Sequence, residues 1–252
     1  MNRSIYNAAR FSLDSLPGWI CPTCGKSVLR PDKKTLKNLE TRRSKAHRKD
    51  EEWEPSWFQG QFSIAFVCAD DSCAQEVFCV GASRVEEFTS NSPVGPPQLE
   101  LREVFLPEFF SFPLNIFEIP KKCPGMIENE ILLSFYLFFT DSSGALNHVR
   151  SAVELLLTHY QISQFERINH KLHRINLHRR IELFEQINSD VAQKLFAIKW
   201  IGNAGSHPKA VKKENVLDAY EILEDVLILL FEKRDLRIRR LVAQVNKRKG
   251  PR

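Results

Sequence analysis

Two pairs of cysteines, far apart along the chain, constrain this sequence more than any other feature. The first pair is Cys21-x2-Cys24 and the second is Cys68-x4-Cys73, with 43 residues between them. Close pairs of thiolates at such spacings are typical of tetrahedral zinc sites. Alternating apolar residues precede and follow the second pair, which indicates a strand on each side. We therefore predict a small β zinc ribbon with one structural zinc on these four residues; the alternative is that they are free core cysteines.

The amino-terminal residues and the longest apolar run predict a cytoplasmic protein with no membrane contact. Residues 1–11 contain Arg3 and Arg10 and lack the apolar stretch of a secretion signal. Residues 131–139 are too few for the roughly 18 that a membrane span requires. Because disulfides are rare in a reducing compartment, we interpret Cys79 and Cys123 as small core residues.

Positive charge is concentrated in two segments. Residues 30–49 hold nine Lys or Arg, and residues 233–252 hold another nine. Such runs either contact phosphates or are solvated faces that pair with acidic segments. Trp53 and Trp57 follow the first run, so they either stack on bases or, as we favour from the sequence, close the small core of the ribbon. The candidate nucleic-acid-binding residues are Lys33, Lys34, Arg42, Arg43, Lys45, Lys199 and Lys209.

The sequence divides into three regions. Residues 1–90 are predicted to form the ribbon with a basic insertion that is helical over residues 33–49. Residues 91–125 are rich in proline and also apolar, which predicts an extended linker packed on the helical domain, with one edge strand. Residues 126–252 have helical periodicity, which predicts a bundle of five or six helices with a basic tail. The expected fold class is therefore α+β, a ribbon followed by a mainly helical bundle.

Within the bundle, several local features carry expectations. Ser142 or Ser143 is expected to cap the second helix, and Arg150 and Glu154 form an i,i+4 pair on it. Residues 161–174 are expected to be a basic connection without a strand.

The fourth helix of the bundle ends in a polar stretch over residues 198–208. Asn203 and His207 lie four residues apart, on one helical face, and Pro208 is expected to end the helix. Gly202 and Gly205 destabilise a helix by about 1 kcal/mol each, so we expect another helix or a phosphate to approach the backbone here. The alternative is that His207 only caps the helix and that Asn203 is a buried amide.

Five motifs together carry a resemblance to a known family. They are the ribbon cysteines, Trp53-Glu54-Pro55-x-Trp57, the segment 117–124, Arg150-Ser-Ala-Val-Glu154 and the segment 198–208. In this order they resemble a prokaryotic family that joins an amino-terminal zinc ribbon to a divergent HEPN-like helical domain. The resemblance implies a short helical bundle that forms a homodimer. It also implies a place among toxin, CRISPR and phage-defence proteins, many of which are metal-independent ribonucleases with an R-x4-6-H motif.

The sequence departs from that motif at one position, because Gly202 stands where an R-N-x-x-x-H arrangement requires arginine. The missing guanidinium would stabilise charge on the reacting phosphate. We therefore predict a nucleic-acid-associated or partner-binding module of a defence or regulatory complex, holding RNA, DNA or a partner protein. The alternative is a ribonuclease in which His207 is the general acid or base, Asn203 positions it or the phosphate, Arg150 stabilises charge and Glu154 orients Arg150. A third possibility is a purely structural Asn203–His207 pair at a homodimer interface.

Overall fold

The fold is mixed α+β, with an antiparallel sheet in the first half of the chain and helices in the second. This computed structural model describes residues 1–7, 10–90, 98–204, 211–232, 234–248 and 250. The strands are β1 (Leu29–Glu40), β2 (Gln59–Cys68), β3 (Glu76–Ser90), β4 (Gln98–Phe110), β5 (Phe165–Ile168) and β6 (Lys171–Arg174). The helices are α1 (Arg3–Asn7), α2 (Arg42–His47), α3 (Gly125–Leu137), α4 (Ser142–His159), α5 (Leu177–Glu185), α6 (Ser189–Ala204), α7 (Lys213–Leu227) and α8 (Arg234–Arg248). A 3-10 turn covers Pro55–Trp57, and a π-helical turn, Ile228–Glu232, follows α7.

The chain forms two compact units. The sheet unit comprises Asn2–Ile116 together with Phe135–Thr140, and the helical unit comprises Phe117–Ser134 and Asp141–Arg252. The predicted boundaries at residues 90 and 125 do not coincide with these units. β4 lies within the predicted linker, and it pairs with β3 at the edge of the sheet, which confirms the predicted edge strand.

The four strands of the sheet are joined in chain order, β1-β2-β3-β4, and all neighbours are antiparallel. Aromatic side chains cover its buried face, and contacts between ring edges and ring faces dominate the packing. Phe11 stacks on Phe105 with centroids 5.2 Å apart, and Trp19 meets Phe110 edge-on at 5.0 Å. Trp19 is the tryptophan of this core, whereas Trp57 is 37% exposed. The interpretation that Trp57 closes the core was therefore wrong.

β1 corrects the prediction that residues 33–49 are helical, since only α2 is helical within that segment. Pairing between β1 and β2 shifts between Asp32 and Lys37, where residues leave the ladder as a bulge. The Thr35 hydroxyl donates to the Asp32 carbonyl at 2.7 Å and accepts the Ala65 N–H at 2.8 Å. A side chain thus replaces a backbone partner, and pairing with β2 overrides the local helical propensity.

A second correction concerns residues 161–174, which were expected to contain no strand. β5 and β6 form a hairpin there, joined by Asn169 and His170. Both residues have positive φ, 50° and 63°, which is the geometry of a two-residue type I′ turn. Asparagine adopts this conformation more readily than most residues, and it starts the turn here without the usual glycine.

In the part of the chain that the structure describes, the helical unit has six helices, α3 to α8, where the sequence predicted five or six. Asp141 caps α4 through a hydrogen bond from the Ser143 N–H at 3.0 Å, so the prediction that Ser142 or Ser143 caps it was wrong. In the core, Ser134 donates to the Ala145 carbonyl at 2.8 Å and lies 2.7 Å from the buried Tyr220 hydroxyl. This polar chain joins α3, α4 and α7 within a mostly apolar interior.

Candidate metal centre and nucleic-acid interface

The four predicted ligands come together in one cluster. The sulfur atoms of Cys21, Cys24, Cys68 and Cys73 all lie within 4.8 Å of one another. The Cys21–Cys73 and Cys24–Cys68 sulfurs are 3.8 and 3.7 Å apart, too long for disulfides. Four sulfurs around a zinc ion at about 2.3 Å lie about 3.8 Å from each other. The cluster is therefore compatible with a tetrahedral metal site.

Backbone pairing brings the two cysteine segments together. Leu29, at the start of β1, is paired with Cys68, at the end of β2. The Ala69 N–H donates to the Val28 carbonyl at 2.9 Å, which extends this pairing to the loops that carry the cysteines. Each loop is closed by its own bonds, from Cys21 N–H to Ser27 and from Cys68 N–H to Gln75. The ligand positions thus follow from the register between β1 and β2.

The electrostatics of the cluster differ from one sulfur to the next. Backbone N–H groups of Ser27 and Lys26 donate to Cys24 and lower the pKa of its thiol to about 7. Burial raises the pKa of the Cys68 thiol to about 12, although the Asp70 N–H, 3.5 Å from its sulfur, acts in the opposite direction. Among the cluster thiols whose pKa is shifted, Cys24 is the one whose pKa is lowered, whereas those of Cys68 and Cys73 are raised.

Both loops turn through a residue with positive φ directly after their second cysteine. Gly25 has φ +64° and Ala74 has φ +43°. Nothing lies within 4 Å of a Cβ built on Gly25, so a side chain there meets only backbone strain. We expect Gly25→Ala to destabilise the protein by about 1 kcal/mol, because alanine is strained in the left-handed region. Ala74→Gly should change stability in the opposite direction, by about 0.5 kcal/mol. Thermal melts of metal-loaded variants measure both, and shifts of equal sign would contradict this explanation.

The remaining cysteines are buried as predicted, with Cys79 fully buried and Cys123 8% exposed. Burial, followed by the nearby Glu128 carboxylate, raises the pKa of the Cys123 thiol to about 11. Burial also raises the pKa of the Cys79 thiol. Neither lies in the cysteine cluster, so both act as small core residues.

The basic residues predicted in the first half of the chain are all exposed. Lys33 and Lys34 lie in the bulge of β1, an edge strand of the sheet. Arg42, Arg43 and Lys45 lie on α2, whose Thr41 cap accepts the Ser44 N–H at 3.2 Å. Lysines on an edge strand also prevent that strand from pairing with the sheet of another molecule. The presence of Lys33 and Lys34 therefore has a structural explanation that does not require nucleic acid.

Two tryptophan side chains contact the end of α2. The Arg48 guanidinium lies 5.1 Å from the ring centre of Trp53, and His47 meets Trp57 edge-on at 6.1 Å. Arg48 also forms an ion pair with Glu40 at 2.8 Å, which holds the pKa of that carboxyl below its usual value. Trp57 thus presents an exposed indole in contact with the last residue of α2.

The candidate residues of the helical unit are only partly described. Arg150 and Glu154 form the predicted ion pair on α4, at 3.4 Å. Lys199 lies on α6, with its amino group 3.7 Å from the ring centre of Trp200. Asn203 lies in the last turn of α6, whereas His207, Lys209, Gly205 and Pro208 lie outside the described residues. No described heavy atom lies within 4 Å of a Cβ built on Gly202, so none of the described helices approaches this glycine closely.

Arg174 and Arg180 are residues of interest that the sequence reasoning missed. Both line a cleft together with Arg150 and Glu154, and Arg180 is only 4% exposed. A signal was present, because Arg180 lies on the same helical face as the buried Leu177, Ile181 and Phe184. An arginine on an apolar face must have internal partners.

Comparisons with known proteins match each half of the chain separately. Residues 9–110 are similar to the family described as Domain of unknown function (DUF8608), and residues 134–248 to the family described as Domain of unknown function (DUF4145). The first range falls within the sheet unit, and the second lies largely within the helical unit. Comparison with curated proteins and with solved structures gave no significant match. Among the described residues, none of the helices has the length and apolar character that a membrane crossing requires.

Proposed function

We propose that this protein binds single-stranded nucleic acid through its sheet unit, as a member of a phage-defence or related regulatory complex. We further propose that one structural zinc ion, bound by Cys21, Cys24, Cys68 and Cys73, holds that unit together. The sulfur spacing of 3.7 and 3.8 Å supports the metal. The observation that carries the binding proposal is the α2 surface. We define it as the exposed cations Arg42, Arg43, Lys45 and Lys49 together with Trp53 and Trp57, which contact Arg48 and His47 of the same segment.

The cations of the α2 surface have no carboxylate partner among the described residues. The sequence continues with Asp50, Glu51, Glu52 and Glu54, which would neutralise the surface if they paired with it. Two of them accept other hydrogen bonds: Asp50 accepts the Glu52 N–H at 3.1 Å, and Glu54 accepts the Ser56 hydroxyl at 3.4 Å. The guanidinium and ammonium groups of the surface therefore remain available to phosphates.

The aromatic residues favour single strands over duplexes. Unstacked bases pack on exposed aromatic rings, and each such contact stabilises the complex by about 1–3 kcal/mol. Trp57 is exposed, and the guanidinium over Trp53 is the arrangement in which arginine and an indole together contact a base. A basic face that is only solvated would not be expected to carry an exposed tryptophan, whereas a face that binds unstacked bases would.

Replacing Arg42, Arg43 and Lys45 together by glutamate should weaken binding of a 20-nucleotide single-stranded RNA at least 100-fold at low salt. The slope of log affinity against log salt concentration should fall by about 2, because three phosphate contacts are lost at about 0.7 each. Trp57→Ala should weaken binding about 10-fold without changing that slope. Fluorescence anisotropy between 50 and 200 mM salt measures all three quantities.

The matched control is Lys121→Glu, Lys122→Glu and Arg167→Glu together, which makes the same change in net charge on exposed residues of the helical unit. It should retain the slope of the wild-type protein. If both triple variants weaken binding equally, the effect is one of net charge and the α2 surface is not the site. If the wild-type protein binds no RNA or DNA, the proposal is wrong and a partner protein becomes the better candidate.

The ribonuclease alternative is supported by one observation, the Arg150–Glu154 ion pair in a cleft. In that mechanism, Glu154 would orient Arg150. Asn203 is not among the residues that line this cleft in the described part of the chain. Because the proposed catalytic groups are not seen together, binding remains the function that the geometry supports best.

A further inference from the structure

A cleft in the helical unit has no role in the function proposed above. It lies between α4, the β5–β6 hairpin and α5, and its volume of about 650 Å³ suits a small ligand. Six of its lining residues carry the argument below: Arg150, Glu154, Thr158, Arg174, Asn176 and Arg180.

The charges in the cleft are not balanced. Arg150 is paired with Glu154, and Glu130, which also lines the cleft, lies 2.8 Å from His148. Arg174 and Arg180 have no carboxylate within ion-pair distance among the residues that the structure describes. The cleft lining thus carries three guanidinium groups against the carboxylates of Glu130 and Glu154, and those of Arg174 and Arg180 form no ion pair with a described residue.

Arg180 is held in place by three hydrogen bonds, although it forms no ion pair with a described carboxylate. Its guanidinium donates to the Glu154 carbonyl at 3.1 Å, the Thr158 hydroxyl at 2.8 Å and the Ile162 carbonyl at 3.2 Å. All three acceptors are neutral, and the buried Nε of Arg180 has no partner. A buried charge without a counter-charge is costly.

Two environmental effects depress the charged form of Arg180. Burial lowers the pKa of its guanidinium most, Glu154 opposes this, and the positive charge of Arg174 lowers the pKa further. Like charges that repel each other in a cleft are stabilised when an anion binds between them.

The start of α5 adds to this positive potential. Asn176 caps the helix by accepting the Arg179 N–H at 2.9 Å, and both Asn176 and Leu177 line the cleft. The first turn of a helix carries partial positive charge and favours anions. Ile175 and Leu155 provide apolar contact beside the polar groups.

We propose that this cleft binds a phosphomonoester, either a free nucleotide or the terminal phosphate of an oligonucleotide. A phosphomonoester carries close to two negative charges at neutral pH, so it is attracted more strongly by the guanidinium groups of Arg174 and Arg180 than a carboxylate, which carries one. Arg174 contacts the phosphate from the hairpin, and Arg180 supplies the fixed charge beneath it. The site is independent of the α2 surface, since no residue of that surface lines the cleft.

Isothermal titration calorimetry of the full chain tests the proposal with four probes: inorganic phosphate, nucleoside 5′-monophosphates, and short oligoribonucleotides with a 5′-phosphate or a 5′-hydroxyl. Arg174→Gln should lower the affinity for the phosphorylated probes at least tenfold and leave the fold intact, because Arg174 is exposed. Arg167→Gln is the matched control, since Arg167 lies on the other strand of the same hairpin and does not line the cleft. It should bind with unchanged affinity.

Binding of monophosphates assigns the site to free nucleotides, and binding of only the 5′-phosphorylated oligonucleotide assigns it to terminal phosphates. The proposal is overturned if no phosphorylated probe binds, or if Arg174→Gln and Arg167→Gln behave alike. The triple α2 variant separates this proposal from the previous one. It should keep wild-type phosphate affinity, and a loss there would place the phosphate site outside the cleft.

Discussion

Purified protein should contain one zinc ion per chain, and Cys68→Ser should remove it. Cys68 is the last residue of β2, is buried and belongs to the cluster of four cysteines. Serine at this position leaves three thiolates, which bind zinc far more weakly than four. Structural zinc contributes about 10–16 kcal/mol in small domains, comparable with the whole stability of a typical protein. The melting temperature of the sheet unit should therefore fall by at least about 15 °C.

Two readouts follow this change. Elemental analysis gives the metal content. Tryptophan fluorescence mainly follows the sheet unit, because three of the four tryptophans lie in it and one of them, Trp19, is 2% exposed in its aromatic core. The control is Cys79→Ser, a buried cysteine outside the cluster. Cys79→Ser loses some stability but keeps one zinc. Absence of zinc from the wild-type protein, or one full equivalent in Cys68→Ser, would refute the metal site.

Gly81→Ala should be the most damaging single substitution in the strands. A Cβ built on Gly81 lies 2.0 Å from the Leu106 carbonyl oxygen, and that atom belongs to the backbone of β4. Pairing between β3 and β4 shifts between Val80 and Gly81, where Gly81 faces Pro107. The bulge brings the two backbones so close that only glycine fits. We expect a loss of about 3 kcal/mol or more, since the strands must separate to admit a methyl group.

Gly202→Ala provides the opposite case for the same measurement. Gly202 lies inside α6, has no described heavy atom within 4 Å of its Cβ position and is not in the left-handed region. Alanine there should stabilise the helix by up to about 1 kcal/mol. Urea melts of both variants decide the matter. A Gly81→Ala protein as stable as the wild type would mean that β3 and β4 do not approach each other as described.

The cysteine cluster could be predicted because ligand spacing and strand alternation are local signals. The strand at residues 33–40 could not, since its conformation depends on β2 and on the Thr35 hydroxyl that completes their pairing. The β5–β6 hairpin was missed because its turn is Asn169-His170, without the glycine that usually marks such turns.

Among the site residues, the Arg150–Glu154 pair followed from helical spacing alone. The charge of the cleft did not, because Arg174 of the hairpin and Arg180 of α5 are brought to the same cleft as Arg150 only by the tertiary structure. Arg180 in particular was visible as a charged residue on a buried helical face, and its partners are carbonyls and a hydroxyl that no pattern of charges predicts. Residues held by neutral acceptors are the least predictable part of such a site.

The polar chain inside the helical unit fixes the direction of its protons. Ser134 has one hydroxyl hydrogen and gives it to the Ala145 carbonyl, so the Tyr220 hydroxyl must donate to Ser134. Burial raises the pKa of Tyr220 and shields its hydroxyl from solvent. We therefore expect exchange of that single hydrogen to be slow and to depend on separation of α3, α4 and α7. The exchange rate of the Tyr220 hydroxyl hydrogen thus measures how often the core of the helical unit opens, whereas amides at the surface of the same helices report smaller local openings.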